Sequence, residues 1–338
     1  MKNEGRSASE IIQGIKDLKI QGARRIAKAA IDAIIWQIKY SKAITLEQFH
    51  NEILGLVLEL EKTRPTEPMM RNSLRTTLKF IMAWIKANEN ANLANEDANV
   101  SKLKSNLLTF EKKLLDMMDE EIEKIAQIGS SLIKDGSRIL VHCHSNTVVK
   151  ILQDCADKNK NIIVSCLETR PLFQGRLTAR ELAESGIKTE LYVDGAVGSI
   201  IQKQDLVLVG ADAITAEGDL INKIGTFTVA QIAKYNQVKF FSCAELFKYD
   251  PLTRLGIEEI IEERDVQEVW GDGLYQKEKS QAYPIPKNLK IYNYSFDRTP
   301  ASFINAYITE EGILPPPLIS YAAEKKLSKI RGGTDAFF

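Results

Sequence analysis

The sequence predicts an α/β protein in which a helical N-terminal region precedes a doubly wound parallel sheet. Apolar residues recur at helical spacing over residues 8–134, whereas after Gly136 short apolar runs alternate with helical patterns. Strands that alternate with helices indicate a parallel sheet covered on both faces, which binds ligands at the carboxyl ends of its strands. We therefore expect a helical N-terminal domain at 1–134 and an α/β domain at 135–338.

The N-terminal region is expected to contain several helices. Thr45 is a suitable N-cap for a helix that includes Phe49–Leu60, and Pro65 and Pro68 interrupt the helical pattern that follows. Further helices are predicted over Ser73–Ala87 and Leu103–Ile133, with a loop over the polar stretch 88–101.

The C-terminal region contains five short apolar runs that predict strands: Arg138–Cys143, Ile162–Leu167, Leu191–Val193, Leu206–Gly210 and Phe240–Ala244. Helical patterns lie between them near 146–157, 176–185 and 224–235. No Gly-x-Gly-x-x-Gly motif follows a strand, so a standard dinucleotide site is not supported.

Composition excludes several classes of function. Lys and Arg number 45 and are balanced by 45 Asp and Glu, so no overall field favours nucleic acid or an anionic membrane. No apolar run is long enough to cross a membrane. The 4 cysteines show no Cys-x-x-Cys spacing, which argues against structural zinc and a disulfide scaffold. We expect a cytoplasmic protein.

The segment His142-Cys143-His144-Ser145 ends the first predicted strand. An extended backbone would point the two histidines to one side and the cysteine to the other, which argues against a shared metal. A cysteine near imidazoles or a helix N-terminus can become a thiolate that acts as nucleophile or base. The alternative is that Cys143 is a small buried core residue.

Residues 210–226 are the second candidate region. Asp212 follows a predicted buried strand, where an aspartate serves either as a general acid or base or as a turn former. We expect Asn222, Lys223 and Gly225-Thr226 to lie together at the start of a helix. An acid, a lysine and a helix N-terminus together suit a phosphorylated ligand.

Two further cations are candidates for phosphate contacts. Lys248 follows the last predicted strand, and Arg64 lies just before a helix, from where it could reach across the domain interface. For Lys223 and Lys248 the alternative is a solvated position on the protein surface. For Arg64 the alternatives are helix capping and a surface ion pair.

The chain resembles the superfamily of sugar-1-phosphate isomerases and initiation-factor-2B regulatory subunits. The resemblance rests on ordered motifs spread over nearly the whole sequence: 21–23, 64–66, 142–145, 168–182, 210–226, 293–300 and 308–312. It implies a helical domain joined to a Rossmann-like domain, with the site between them. His-Cys-His-Ser, and Ala244-Glu245 followed by Lys248, resemble the ribose-1,5-bisphosphate isomerase branch.

Two other branches are the alternatives. The methylthioribose-1-phosphate isomerases typically carry His-Cys-Asn-Thr-Gly, which this chain lacks. The regulatory alpha-type subunits of initiation factor 2B generally lack the cysteine–aspartate pair, which is present here as Cys143 and Asp212. The resemblance therefore implies an enzyme that isomerises ribose 1,5-bisphosphate to ribulose 1,5-bisphosphate in AMP salvage.

The resemblance also implies roles for individual residues. Cys143 would be the base at C2, and Asp212 would assist ring opening and proton delivery. The remaining implied ligands of the sugar phosphate are Arg64, His144, Ser145, Asn146, Thr147, Asn222, Lys223 and Lys248. No metal or redox cofactor is required. An AMP activator and a homo-oligomer, a dimer or hexamer, are implied as well.

One substrate-binding segment departs from the isomerase pattern. The isomerases usually have Arg-Gly-Ala followed by a small residue, whereas this chain reads Gln21-Gly22-Ala23-Arg24. Loss of an arginine–phosphate contact is not a conservative change. Either Arg24 or Arg25 supplies the missing contact, or the substrate or the activity level differs from that branch.

Overall fold

The computed structural model describes residues 6–64, 66–88, 96–270 and 285–332. Five helices precede the sheet: α1 Ala8–Lys16, α2 Ala23–Tyr40, α3 Leu46–Glu61, α4 Pro68–Ala87 and α5 Glu96–Leu132. The predicted N-cap is confirmed, since the Thr45 side chain accepts a hydrogen bond from the backbone N–H of Gln48.

Two boundaries in this helical layer differ from the prediction. Helix α4 begins at Pro68 and not at Ser73, because proline lacks only an N–H that the first turn does not need. Helix α5 begins at Glu96, so residues 96–101 are helical and the loop predicted there is wrong. Acidic side chains in a first turn stabilise the positive end of the helix dipole. Residues 89–95 of the predicted loop lie outside the described residues.

The prediction of a doubly wound, mainly parallel sheet is confirmed. Seven strands lie in the order β10-β9-β7-β4-β1-β2-β3, and all neighbouring pairs except β10 with β9 are parallel. Their bounds are β1 Arg138–His142, β2 Ile163–Leu167, β3 Lys188–Tyr192, β4 Leu206–Val209, β7 Lys239–Cys243, β9 Ala306–Thr309 and β10 Gly312–Leu314. The accompanying helices are α6 Asn146–Asp157, α7 Gln174–Glu184, α8 Val197–Ile200, α9 Thr226–Tyr235, α10 Gln267–Trp270 and α11 Ile319–Gly332.

A second, antiparallel sheet was not predicted. It contains β5 Ala213–Ile214, β6 Leu220–Lys223 and β8 Phe296–Thr299. Asn222 and Lys223 therefore lie on a strand, and only Thr226 begins a helix, which corrects the predicted helix start. The reason is long-range pairing: Lys223 lies opposite Phe296, far along the chain, and no local pattern reveals that partner.

The helical layer packs directly on the sheet. One hydrophobic cluster joins α1–α5 to one sheet face, and it includes Ile31, Leu107, Val207 and Phe240. A second cluster covers the opposite face beneath α6. This packing brings the N-termini of α2 and α4 to the carboxyl edge of the sheet. The division at residues 134 and 135 stays a prediction. In the described ranges, no helix combines the length and apolar character needed to cross a bilayer.

Candidate active site

A cavity of about 280 Å³ lies between the helical layer and the carboxyl ends of the strands; we call it the site cavity. It brings together all fifteen residues that the sequence and the resemblance pointed to: Gln21, Gly22, Ala23, Arg24, Arg25, Arg64, Cys143, His144, Ser145, Asn146, Thr147, Asp212, Asn222, Lys223 and Lys248. The side chains of both layers thus meet around one space that could hold a small ligand.

Cys143 is held in an unusual backbone conformation. It directly follows β1 and has a φ of 67°, in the left-handed region that non-glycine residues rarely adopt. Its N–H donates to Thr169 Oγ1 at 2.9 Å, and its carbonyl accepts from Thr178 Oγ1 at 3.1 Å. Thr169 itself has a φ of 64°. Such strain clusters at functional sites, and here it stops β1 one residue early and places Cys143 at the cavity wall.

The other three cysteines are core residues. Cys155, Cys166 and Cys243 are fully buried in the cluster beneath α6, whereas Cys143 is half-buried and lines the site cavity. The core interpretation therefore holds for those three and fails for Cys143.

The surroundings of Cys143 favour the neutral thiol. Burial raises the pKa of Cys143 to about 11, while the Lys223 ammonium opposes this shift. Burial lowers the pKa of His142 and so disfavours a positive charge on its ring. The hydrogen bond from its Nε2–H to the carbonyl of Ile224, at 2.9 Å, only partly opposes this shift. His142 therefore does not supply the charged imidazole that would favour a thiolate at Cys143.

Thiol alkylation should reveal this raised pKa. Because the thiolate is the nucleophile, the iodoacetamide reaction of Cys143 should accelerate about tenfold per pH unit from pH 7 to pH 10. An ordinary thiol would level off above about pH 8.5. Mass spectrometry of the modified peptide measures the rate, and Cys143→Ser should show no fast labelling since the other cysteines are buried. A plateau below pH 9 would contradict the raised pKa.

Asp212 also lines the cavity, three residues beyond β4, the strand that pairs with β1. Its N–H donates to the carbonyl of Ile221 at 2.9 Å, which ties it to β6. Burial raises the pKa of Asp212, and the charges of Lys248 and Lys223 reduce that shift. A buried carboxyl group whose pKa is raised can serve as a general acid.

The predicted cations are buried, not solvated. Lys223 and Lys248 are 8% and 5% exposed. Lys248 Nζ lies 3.1 Å from Glu245 Oε2, and Arg24 Nε lies 3.8 Å from the other oxygen of the same carboxylate. Glu245 is fully buried behind them. The surface alternative is thus wrong for both lysines, and Glu245 holds Lys248 and Arg24 towards the cavity.

Arg64 is buried between carboxylates. Its Nε donates to Glu262 Oε1 at 2.8 Å, and its Nη2 lies 3.6 Å from Glu67 Oε1. Arg64 therefore lines the cavity with its charge already partly balanced, and its surface-ion-pair alternative is wrong.

Two helix N-termini reach the cavity from different layers. Gly22 is the N-cap of α2, with a φ of 87° that favours glycine, and no side chain caps this helix. Ser145 is the N-cap of α6, and its hydroxyl accepts from the N–H of Val148. First-turn residues of both helices line the cavity. Free N–H groups at a helix N-terminus bind anions such as phosphate, so the cavity offers two anion sites.

The polar side chains beside these two helix N-termini already make hydrogen bonds within the protein. Gln21 Nε2 donates to the carbonyl of Leu18 at 2.6 Å, so its amide bonds to the preceding turn. His144 has its ring nitrogens 3.0 Å from Thr178 Oγ1 and 3.1 Å from Asn146 Oδ1. Asn222 Nδ2 donates to Thr226 Oγ1 at 2.9 Å. Arg24, in the first turn of α2, provides a guanidinium group beside the cavity, which Gln21 cannot do.

Sequence reasoning missed several residues that line the cavity. They include Lys19, Glu67, Gln174, Leu177, Arg264 and Phe296. Glu67 occupies the N-cap position of α4 yet makes no capping hydrogen bond. An acid directly before Pro68 reads as an ordinary cap, and only the tertiary structure shows that it belongs to the cavity wall.

The chain is similar to known proteins over most of its length. A profile of the Initiation factor 2 subunit family matches residues 19–316. The chain is 37% identical to a ribose 1,5-bisphosphate isomerase of Pyrococcus furiosus, covering 92% of this chain and 91% of that protein. It is 31% identical to a methylthioribose-1-phosphate isomerase of Thermotoga neapolitana, covering 97% and 91%.

A solved structure extends the similarity to three dimensions. The chain superposes on the translation initiation factor eIF-2B of Pyrococcus horikoshii OT3 with a TM-score of 0.73 and 28% identity. The match covers 92% of this chain and 97% of that one. The fold is thus shared by proteins named as isomerases and by one named as a translation factor. Because a shared fold does not determine function, the choice between the two depends on the residues of the site.

Proposed function

The chain belongs to the Initiation factor 2 subunit family, and we propose that it is an isomerase that converts ribose 1,5-bisphosphate to ribulose 1,5-bisphosphate. The observation that carries this proposal is the pair of helix N-termini, from α2 and α6, at one cavity that also contains Cys143 and Asp212. A sugar with a phosphate at each end needs two anion sites, with an acid and a base between them.

The two alternatives are supported less well. Methylthioribose 1-phosphate has one phosphate, so it would leave one helix N-terminus and its cations without a charged partner. A regulatory subunit of a translation factor needs no thiol and carboxyl group in one cavity. The identity to the ribose 1,5-bisphosphate isomerase, 37% against 31% for the methylthioribose enzyme, points the same way.

The chemistry requires two proton carriers, and each returns to its starting state. The Asp212 carboxylic acid gives its proton to the ring oxygen as the bond from that oxygen to C1 breaks. The Cys143 thiolate takes the proton from C2, which leaves an enol phosphate with a C1–C2 double bond. Asp212 then takes the proton of the C2 hydroxyl as the carbonyl forms, and the Cys143 thiol protonates C1.

The remaining cavity residues bind and orient the substrate. Asn222, Lys223 and Lys248 hold it beside Asp212, while His144, Ser145, Asn146 and Thr147 surround one phosphate at the start of α6. Gly22, Ala23 and Arg24 form the second phosphate site at the start of α2, with Gln21 beside it. Arg64 adds a cation from the helical layer. Binding between the helical layer and the sheet would limit the access of water to the enol phosphate.

The finer features of the proposal follow the family resemblance. We place the enzyme in the cytoplasm, in AMP salvage, as a homo-oligomer, either a dimer or a hexamer, with AMP as an activator. It acts on a small phosphorylated sugar and needs no metal or redox cofactor.

Turnover by the purified protein tests the assignment. Ribose 1,5-bisphosphate and methylthioribose 1-phosphate should be assayed side by side, with and without AMP, while light scattering measures the molar mass. We expect conversion of the bisphosphate and a mass that is a multiple of the single chain. Conversion of methylthioribose 1-phosphate alone would select the second candidate. A folded oligomer that converts neither sugar would overturn the isomerase assignment.

Arg24→Ala should weaken substrate binding more than chemistry. If Arg24 replaces the arginine absent at position 21, its loss removes a charge-assisted phosphate contact worth about 1.5–3 kcal/mol. KM for the bisphosphate should then rise roughly tenfold to a hundredfold with little change in kcat. Lys28→Ala is the matched control, because Lys28 shares the Asp119 partner of Arg24 but does not line the cavity. An unchanged KM in Arg24→Ala would remove Arg24 from the phosphate site.

A further inference from the structure

Glu67 is a buried carboxyl group that the mechanism above does not use. It lines the site cavity, and its side chain is 1% exposed. It stands at the N-cap of α4 without capping that helix, so the side chain turns away from the helix N–H groups and into the cavity wall. A buried polar group normally has a partner, and Glu67 therefore needs an explanation.

The two oxygens of Glu67 differ in their surroundings. Oε1 lies 3.6 Å from Arg64 Nη2, which is too far for a hydrogen bond. Oε2 has no hydrogen-bond partner among the residues that the structure describes. Arg64 directs its Nε–H to Glu262 instead, at 2.8 Å. Glu67 thus lacks the close ion pair that a buried carboxylate requires.

The charges around Glu67 also oppose its ionisation. Asp212 and Glu262 are acidic groups that face it, and Arg64 and Lys248 are the cations that face it. Both cations have other carboxylate partners, Glu262 for Arg64 and Glu245 for Lys248. Burial, followed by the charge of Asp212, raises the pKa of Glu67 well above its ordinary value.

We propose that Glu67 is a substrate-contacting acid: a neutral carboxylic acid whose Oε2–H donates to a hydroxyl of the sugar bound beside Asp212. The hydrogen belongs on Oε2 because Oε1 faces the Arg64 guanidinium. A carboxylic acid both donates and accepts, as a hydroxyl does, whereas a phosphate offers only acceptors and already has the helix N-termini. This role rests on the proposed function and adds a group that selects for the sugar.

Isosteric substitution distinguishes a neutral donor from a charged partner of Arg64. Glu67→Gln keeps a donor of the same shape, so kcat/KM for the bisphosphate should stay within about threefold of wild type. Glu67→Ala removes the donor and should lower kcat/KM about tenfold to a hundredfold. A loss in Glu67→Gln as large as that in Glu67→Ala would overturn the neutral donor. Activity unchanged in both variants would overturn the substrate contact.

Infrared difference spectra test the protonation state without turnover. At pH 7 the wild-type protein should show a carbonyl band of a protonated carboxylic acid that is absent from Glu67→Gln. Glu111→Gln is the matched control, because Glu111 is a fully buried carboxyl group that does not line the cavity. It accepts a hydrogen bond from Thr77 Oγ1, and burial raises its pKa to about 8. Its substitution should remove a band of its own and leave kcat/KM unchanged.

The activity assays and the infrared spectra together distinguish an error about Glu67 from an error about the proposed function. If wild-type protein converts no sugar phosphate, the isomerase assignment and the sugar contact are overturned together, while the infrared band still decides whether Glu67 is neutral. If wild-type protein is active but the band in Glu67→Gln equals that in wild type, Glu67 is ionised and the inference is overturned by itself. Thermal melting of each variant shows whether an activity loss reflects unfolding.

Discussion

Replacing Cys143 by alanine should abolish isomerisation and leave the fold intact. The substitution removes the only sulfur that lines the site cavity within the described ranges, and with it the base for the C2 proton. General base catalysis contributes about 10² to 10⁴ in rate, so kcat should fall by at least about a hundredfold. The backbone of residue 143 keeps its hydrogen bonds to Thr169 and Thr178, since neither uses the cysteine side chain.

Stability should change little in this variant. Alanine adopts the left-handed conformation of residue 143 at about the same cost as cysteine, and only a half-buried sulfur is lost, worth under about 1 kcal/mol. Calorimetry should show a melting temperature within a few degrees of wild type. Cys155→Ala is the control in the opposite sense, because it removes a fully buried sulfur from α6 and should cost stability without affecting turnover. Residual wild-type activity in Cys143→Ala would remove the cysteine from the mechanism.

The carboxyl edge of the sheet could be predicted because its signals are local. Each strand is a short apolar run, and the polar residue after it, Cys143 or Asp212, falls at the edge once the strands are parallel. The roles of Gln21 and Arg64 at the same edge came from the family resemblance, because nothing near either residue in the sequence shows which helix end reaches the sheet.

What could not be predicted depends on residues far apart in the chain. The pairing of β6 with β8 converts Asn222 and Lys223 from a helix start into a strand. The protonation of Cys143 depends on burial and on a neutral His142, and neither can be read from the neighbouring letters. Glu67 shows the same limit, since its sequence context is that of a helix cap.

Asp212→Asn should nearly abolish turnover and should also change how the residual rate depends on pH. Asparagine keeps the size and the polar contacts of the aspartate but cannot transfer a proton. We expect kcat to fall roughly 10²- to 10⁴-fold with KM changed little, because the cations around the substrate remain. Asp205→Asn is the matched control: Asp205 lies just before β4, at the opposite end of the strand, and accepts a hydrogen bond from the N–H of Arg138. It should leave kcat unchanged.

The pH profiles should differ because in wild type the general acid, Asp212, has a lower pKa than the general base, Cys143. The active form has Asp212 protonated and Cys143 ionised, and its fraction stays constant between the pKa of Asp212, which is raised above 3.8, and that of Cys143, at about 11. As pH rises across that window, the gain in thiolate cancels the loss of protonated Asp212, so kcat/KM should be level from just above the pKa of Asp212 to pH 9.

In Asp212→Asn only the thiolate fraction varies, so the small residual rate should rise about tenfold per pH unit over the same range. Steady-state assays of both proteins at matched ionic strength measure this. A wild-type profile that rises with the same slope as the variant would show that the proton on Asp212 is not required, and the role of general acid would pass to another group at the cavity wall.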